Sequence, residues 1–284
     1  MQTVPLFLQD DPDTSSIPAA DRPLFDEFRT KGYAVIDLDI ADLPDRIIEG
    51  VKYGSDPTRI QDAWKTVPAV KELALNTEVE RVLALLYGRE PFAFQTLNFP
   101  VGTQQLTHSD TIHFSSLPKD FMAGVWVALE DTDAENGPLH YYPGSHTMPH
   151  LTMDDLGVSK WGKGGYKLYS EHYEPAIRKL CEGMKPLEAH LRKGQALIWS
   201  ANLLHGGNPI IDRSRSRQSQ VTHYYFEGCR YWTPMMSTNK RRFHRTPYKI
   251  RSGKAVTPFG EYPKLLAEAG KLCFEAYRSL SSKF

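Results

Sequence analysis

Between residues 92 and 226 the chain is a succession of short β-rich runs separated by turn residues. The runs are Phe92–Phe99, Gln104–His108, Met122–Glu130, Leu139–Tyr142, Leu187–Arg192, Gln195–Trp199 and Gln218–Phe226. Val101-Gly102, Asn136-Gly137-Pro138, Pro143-Gly144-Ser145 and Lys193-Gly194 punctuate them. Short strands with such punctuation point to a sandwich or barrel. The expected fold is therefore mainly β, with a core over residues 92–228. Residues 147–186, with the segment WGKGGYK, interrupt the strands and read as an inserted lid or surface excursion.

Helices are expected on the N-terminal side. DRPLFDEFRTKG reads as a helix capped by Asp21, with Leu24, Phe25 and Phe28 on its apolar face and Gly32 after its end. Tyr33–Leu38 follows as a strand. Acidic and apolar residues alternate at helical spacing over 40–53. Residues 67–88 read as a helical pair. Thr77-Glu78-Val79-Glu80 has the capping-box pattern, and Val79, Val82, Leu83 and Leu86 form a core stripe behind it. After residue 228 a tail carries the basic run KRRFHR (240–245) and ends in an expected helix from Pro263 to Leu280.

A chain of 284 residues can build a large core. Its 34 basic and 34 acidic residues cancel, which argues against a general nucleic-acid binder. Cys181, Cys229 and Cys273 are odd in number and widely spaced, so no disulfide framework or zinc ribbon is expected and a reducing compartment is favoured. MQTVPLFLQDDPD lacks the basic and apolar regions of a signal peptide. The longest apolar runs, such as Met122–Leu129, are too short to span a membrane. Together these predict a cytoplasmic protein with no membrane or nucleic-acid partner.

The candidate chemistry starts at His108-Ser109-Asp110. On a strand, residues i and i+2 share a face, so an imidazole and a carboxylate would project together. A second histidine from elsewhere would complete two histidines and one carboxylate, a set suited to non-haem Fe(II). His205 follows the strand QALIW and precedes Gly206-Gly207-Asn208-Pro209, where glycines let the backbone pass close to something bulky. Arg217 and Ser219 are again i and i+2, and a guanidinium beside a hydroxyl is suited to holding a carboxylate. Arg213 and Arg215 read as solvated. His113, His140, His146 and His223 are each more often structural than functional.

Taken in order, these features resemble one family. They are H-x-D at 108–110, W-x-A-L-E-D at 126–131, N-G-P-L at 136–139, P-G-S-H at 143–146, K-G at 193–194, H-G-G-x-P at 205–209 and R-x-S at 217–219. The motifs and their spacing resemble the phytanoyl-CoA hydroxylase (phytanoyl-CoA dioxygenase) family over roughly residues 22–228. That resemblance implies a double-stranded β-helix (jelly-roll) core in a single oxygenase domain over 1–284, with a helical flank at 1–91. It implies Fe(II) as cofactor, with 2-oxoglutarate and O2 as co-substrates giving succinate, CO2 and a hydroxylated product. His108, Asp110 and His205 would be the catalytic metal ligands. Arg217 and Ser219 would hold the far carboxylate of 2-oxoglutarate, and Trp126 would line its pocket. Two positions depart from the family: Ser109, where glutamine is commoner, and Gly207, where some members carry serine.

Two other readings share these residues: a zinc-dependent hydrolase, since two histidines and a carboxylate also hold catalytic zinc, and a non-catalytic jelly-roll binding module. The expected substrate is a small polar molecule, anionic ones included. Gln95, Asn98, His113, Tyr224 and Tyr225 are expected on the cavity strands, and Arg230 and the 240–245 run near the mouth. The residues specify neither the oligomeric state nor the substrate.

Overall fold

The computed structural model describes residues 3–54, 58–162, 165–257 and 260–263. Helix α1 (Arg22–Lys31) ends at Gly32, whose φ of 80° and 2.7 Å N–H bond to the Phe28 carbonyl close the last turn. Glycine is required there twice over, by the left-handed backbone and because a Cβ would lie 2.4 Å from the His146 ring. Strand β1 (Tyr33–Asp37), α2 (Leu43–Gly50), β2 (Ile60–Gln61), α3 (Pro68–Ala74) and α4 (Thr77–Tyr87) complete the flank. Two capping expectations fail. Asp21 makes no cap bond; its carboxylate pairs with Arg81 of α4 at 2.7 Å. The cap of α4 is Asn76, one residue before the expected threonine, and its Oδ1 accepts from the amides of Glu78 and Val79.

The remaining strands are β3 (Pro91–Phe99), β4 (Ser115–Leu117), β5 (Met122–Ala128), β6 (Leu139–Tyr141), β7 (Leu187–Glu188), β8 (Gln195–Ser200), β9 (His205–Gly207) and β10 (Ser219–Phe226). After them come β11 (Arg230–Trp232), β12 (His244–Arg245), β13 (Lys254–Thr257) and β14 (Gly260–Pro263). The main sheet has the order β1-β8-β5-β10-β3-β2 and is antiparallel throughout. A smaller sheet, β7-β6-β9, covers one of its faces.

Period-2 alternation divides the main sheet between two cores. On β5 and β8, Val125, Val127, Ala196 and Ile198 face the helical flank, where they join Phe28, Val70, Leu83 and Leu86. Trp126, Leu197 and Trp199 face the opposite way and pack with Leu139, Tyr141 and Leu203 from the small-sheet side. This is the jelly-roll arrangement: two antiparallel sheets, helices outside, and a cavity at one end of the inner layer.

Three other expectations change. Gln104–His108 is not a strand, and its pairing is the single bridge His108↔His205. The run Leu187–Arg192 shortens to β7. The 147–186 segment is more than a surface excursion. It contains α5 (Gly165–Leu168), a π turn (Tyr169–Tyr173) and α6 (Glu174–Leu180), and buries Met153, Tyr169, Tyr173 and Ile177 against Ile112, Leu204 and Met235. The predicted C-terminal helix lies outside the described residues, apart from Pro263, which ends β14. Cys181 and Cys229 carry free thiols. Among the described residues no helix is long and apolar enough to cross a membrane.

Candidate active site

The triplet does not sit on a strand as expected. Ser109 is extended (φ −109°, ψ 136°), and Asp110 opens a 3-10 turn, Asp110–Ile112. One extended residue between them suffices to send His108 and Asp110 to the same side. The turn is held from within: Ser109 Oγ accepts from the Thr111 amide at 3.2 Å and contacts Thr111 Oγ1, the Ala201 carbonyl and Asn202 Oδ1. Ser109 is thus a buried turn cap that points away from the cavity.

His205 reaches the triplet through reciprocal backbone bonds with His108, at 2.9 and 3.0 Å. The donor atoms of His108, Asp110 and His205 lie within 4.8 Å of one another, and all three residues are buried. His108 Nε2 is 3.7 Å from Asp110 Oδ1, and His205 Nε2 is 4.0 Å from Oδ2. Each Nδ1 lies 3.0 Å from a backbone carbonyl, of Leu106 for His108 and of Leu203 for His205. A carbonyl only accepts, so both Nδ1 atoms carry the proton and both Nε2 atoms present lone pairs on the side of the carboxylate, that of His108 accepting from Gln105 Nε2 at 3.2 Å. This is the donor set a divalent cation requires.

Electrostatics keep these groups in ligating form. Burial, then the neighbouring His205, holds His108 down to about 4, and burial lowers His205 as well. Burial works to raise Asp110, but His205, His223 and His108 with the Trp199 N–H outweigh it, so its pKa lies below the ordinary carboxylate value. Neutral imidazoles and an ionised carboxylate are therefore present together at neutral pH.

Arg217 lies just before β10, is fully buried and stacks 5.3 Å from the Trp126 ring. Burial pulls its pKa down to about 10, so it stays cationic at neutral pH. Nη2 donates to the Val101 carbonyl at 3.3 Å, while Nε and Nη1 have no partner. Ser219 Oγ and Trp126 Nε1 are also buried without partners. Orphaned buried donors of this kind are costly unless something binds them, and a carboxylate fits the guanidinium fork. By contrast Arg213 is exposed, and Arg215 pairs with Asp133 at 2.9 Å.

The triad and Arg217 open into one cavity of about 660 Å³, within the range of small-molecule sites. Its wall includes Gln95 and His113, as expected, together with Gln61, Tyr169, His223 and Arg245. Asn98 and Tyr224 face the helices instead. Asn98 donates to Gln220, which donates to the Val70 carbonyl; Tyr224 donates to the Ala74 carbonyl. Tyr225 is packed between Phe94 and Tyr231. The basic run divides: Arg241 and Arg242 stack on Trp161 and Trp232, whereas Phe243, His244 and Arg245 line the cavity. Arg230 borders a separate basic depression beside Lys240.

The profile described as "Phytanoyl-CoA dioxygenase (PhyH)" matches residues 49–218. The chain belongs to the phytanoyl-CoA dioxygenase family. It is 25% identical over 186 residues to the peroxisomal phytanoyl-CoA dioxygenase of Rattus norvegicus, covering 61% of this chain and 51% of the rat protein. The phytanoyl-CoA dioxygenase domain-containing protein 1 homolog of Caenorhabditis briggsae is 28% identical over 83 residues, 28% of this chain and 29% of that one. The chain thus spans about half or less of these curated relatives. EctD from S. alaskensis, solved with bound Fe, shares the fold with a TM-score of 0.61 at 20% identity, covering 84% of this chain and 86% of that one. EctD has also been solved with 2-oxoglutarate and 5-hydroxyectoine (TM-score 0.58, 19% identity, 81% of this chain and 84% of that one).

At the glycine departure the backbone passes close to the chain's own loop. A Cβ on Gly207 would lie 3.0 Å from the Gln104 amide, so the position faces the 103–105 segment. A Cβ on Gly206 would lie 2.7 Å from the Gln105 carbonyl and 2.8 Å from the His140 ring. The bulky objects that the glycines admit are therefore the protein's own loop and His140. His140 itself bonds Thr107 and Asn208, and His146 lies 3.1 Å from the Arg29 carbonyl, so both are structural. His223 is different: its Nε2 is 3.8 Å from Asp110 Oδ2 and its Nδ1 is 2.9 Å from Gln95 Oε1. Alternation from Arg217 through Ser219 and Val221 was the available signal for it. Trp199, which donates to Asp110, gave no comparable signal.

Proposed function

We propose that this protein is an Fe(II)- and 2-oxoglutarate-dependent dioxygenase that hydroxylates a small polar organic molecule. The observation that carries the reading is the pairing of two unlike sites in one cavity: the convergent Nε2, Nε2 and carboxylate set, and the buried Arg217 with two unpartnered nitrogens. His108, Asp110 and His205 would hold the iron. Arg217 would bind the far carboxylate of 2-oxoglutarate through its fork, assisted by Ser219, with Trp126 as the wall of that subsite. When bound, iron and 2-oxoglutarate supply the oxidising chemistry, with O2 consumed, succinate and CO2 released, and one oxygen atom delivered to the substrate.

The protein's own contribution is positional. The Leu106 and Leu203 carbonyls fix both imidazole tautomers. Trp199 restrains one carboxylate oxygen of Asp110. The polar wall of Gln61, Gln95 and His113 favours a substrate with hydrogen-bonding groups over an alkyl chain, which would leave those groups unpaired at about 1–3 kcal/mol each. A hydrolytic zinc centre would give the buried charge of Arg217 no ligand. Free thiols at Cys181 and Cys229 support a reducing, cytoplasmic setting.

Anaerobic protein reconstituted with Fe(II) should develop a visible absorption band when 2-oxoglutarate is added, and succinate should form once O2 is admitted. Zinc-dependent activity with no such band would establish the hydrolase instead. Neither band nor turnover would leave the binding module.

A further inference from the structure

We infer that the cavity contains a second oxyanion site, built on Arg245 and Arg59, that holds a carboxylate or phosphate of the substrate. The inference rests on the oxygenase reading above and adds to it the class of molecule that is bound.

Arg245 belongs to β12 and lines the same cavity as the triad. Its guanidinium lies 4.7 Å from the Phe114 ring. Phe114 is in turn 4.9 Å from the His223 ring, and His223 touches Asp110. Arg245 therefore stands on the His223 side of the triad, separated from it by two rings. Its Nη1 donates to Thr233 Oγ1 at 3.3 Å. Its Nε is buried without a partner, and among the described residues Nη2 has none. The Nε/Nη2 edge is the side of the guanidinium that grips an oxyanion with two parallel bonds. The stacking on Phe114 and the bond to Thr233 hold the plane of that edge, so little freedom is lost on binding.

The charge balance favours an anionic occupant. Among the described residues, the acidic and basic side chains on the cavity wall are Asp110, Arg59, Arg217 and Arg245, and five histidines and two tyrosines complete the titratable set. In the loaded enzyme the charges of Fe(II) and 2-oxoglutarate cancel, as do those of Asp110 and Arg217. Arg59 and Arg245 remain, and neither has an acidic partner among the described residues. Two uncompensated cations on the wall of a concave site raise the local concentration of anions. A neutral substrate would leave Nε of Arg245 desolvated and unpaired.

The test uses protein loaded with Mn(II) in place of iron and saturated with 2-oxoglutarate, so that the Arg217 site is filled. Acetate, inorganic phosphate and neutral acetamide are titrated in, and the relaxation of their ¹H or ³¹P nuclei by the metal reports binding near the centre. Acetate or phosphate should bind and acetamide should not, and the tighter anion assigns the group as carboxylate or phosphate. Arg245→Ala should weaken the anion by about tenfold or more, Arg245→Lys by less, and Arg59→Ala by an intermediate amount. Affinity for 2-oxoglutarate, measured separately, should move less than about twofold in all three variants. Failure of 2-oxoglutarate to bind the parent protein would overturn the oxygenase reading and this site with it. Normal 2-oxoglutarate binding without anion binding, or with equal binding in Arg245→Ala, would overturn the Arg245 site alone.

Discussion

The indole Nε1 of Trp199 donates a 2.8 Å hydrogen bond to Oδ2 of Asp110. It ties the carboxylate of the candidate metal set to β8 of the main sheet, and both residues are buried. The ring fits only because Gly124, opposite it on β5, has no side chain: a Cβ there would lie 2.2 Å from the indole. Groups that orient metal ligands in this way are worth about tenfold to a hundredfold in metal affinity. Trp199→Phe should therefore weaken Fe(II) by that order in an anaerobic competition with a chelator. Gly124→Ala, which displaces the same ring, should act in the same direction. Unchanged iron affinity in both variants would show that Asp110 is oriented by other contacts.

Alanine at His108, Asp110 or His205 should abolish succinate formation, because two remaining donors do not hold iron in the required geometry. Circular dichroism of each variant should match the parent, since the sheets are held by their apolar cores rather than by this site. Normal turnover with iron bound in all three variants would remove the metal assignment.

Arg217→Ala should weaken 2-oxoglutarate by about 2–5 kcal/mol, the cost of breaking a buried charge pair from one side. Arg217→Lys should restore part of the loss, because a single ammonium lacks the fork. Arg215→Ala should change little, since its partner is the half-exposed Asp133 rather than the cavity. Calorimetric titration of 2-oxoglutarate into the three variants checks the order, and a loss carried by Arg215 would displace the assignment.

Acid should destabilise the metal-free protein as the pH falls below 6.5, through its buried histidines. His108, His113 and His223 sit near 4 in the folded state, chiefly through burial, against 6.5 for an ordinary histidine. Between pH 6.5 and about 4 the unfolded chain binds protons that the folded chain does not, so stability falls as pH drops through that window and is flat above it. Asp110, whose pKa is lowered, contributes stability that is lost only below its ordinary value of 3.8. Thermal melts should show a lower Tm at about pH 5 than at about pH 7.5. An equal Tm at both would mean that these histidines are solvated.

The sequence by itself determined the elements whose signals are local. β-rich runs bounded by turn residues marked β5, β8 and β10, and the i, i+2 spacing placed Arg217 and Ser219 on one face at the start of the last of them. Helical spacing marked the stripe of Val79, Val82, Leu83 and Leu86, all buried. Motif order carried the family, and with it His205 as a partner for His108 and Asp110. Only the tertiary structure decided what depends on closure. His108 and His205 exchange backbone bonds across a long stretch of sequence, and no periodicity within either segment encodes that pairing. The triplet became a turn because Ser109 found Asn202, a partner distant in the chain. Asn98 and Tyr224 turned from the cavity because the Gln220–Val70 contact and the Ala74 carbonyl were available on the helical side. The meeting of Trp199 with Asp110, and of Arg245 with Phe114, follows from how the sheets stack. A local pattern states which face a side chain takes, but the partner it meets is set by where the other segments come to rest.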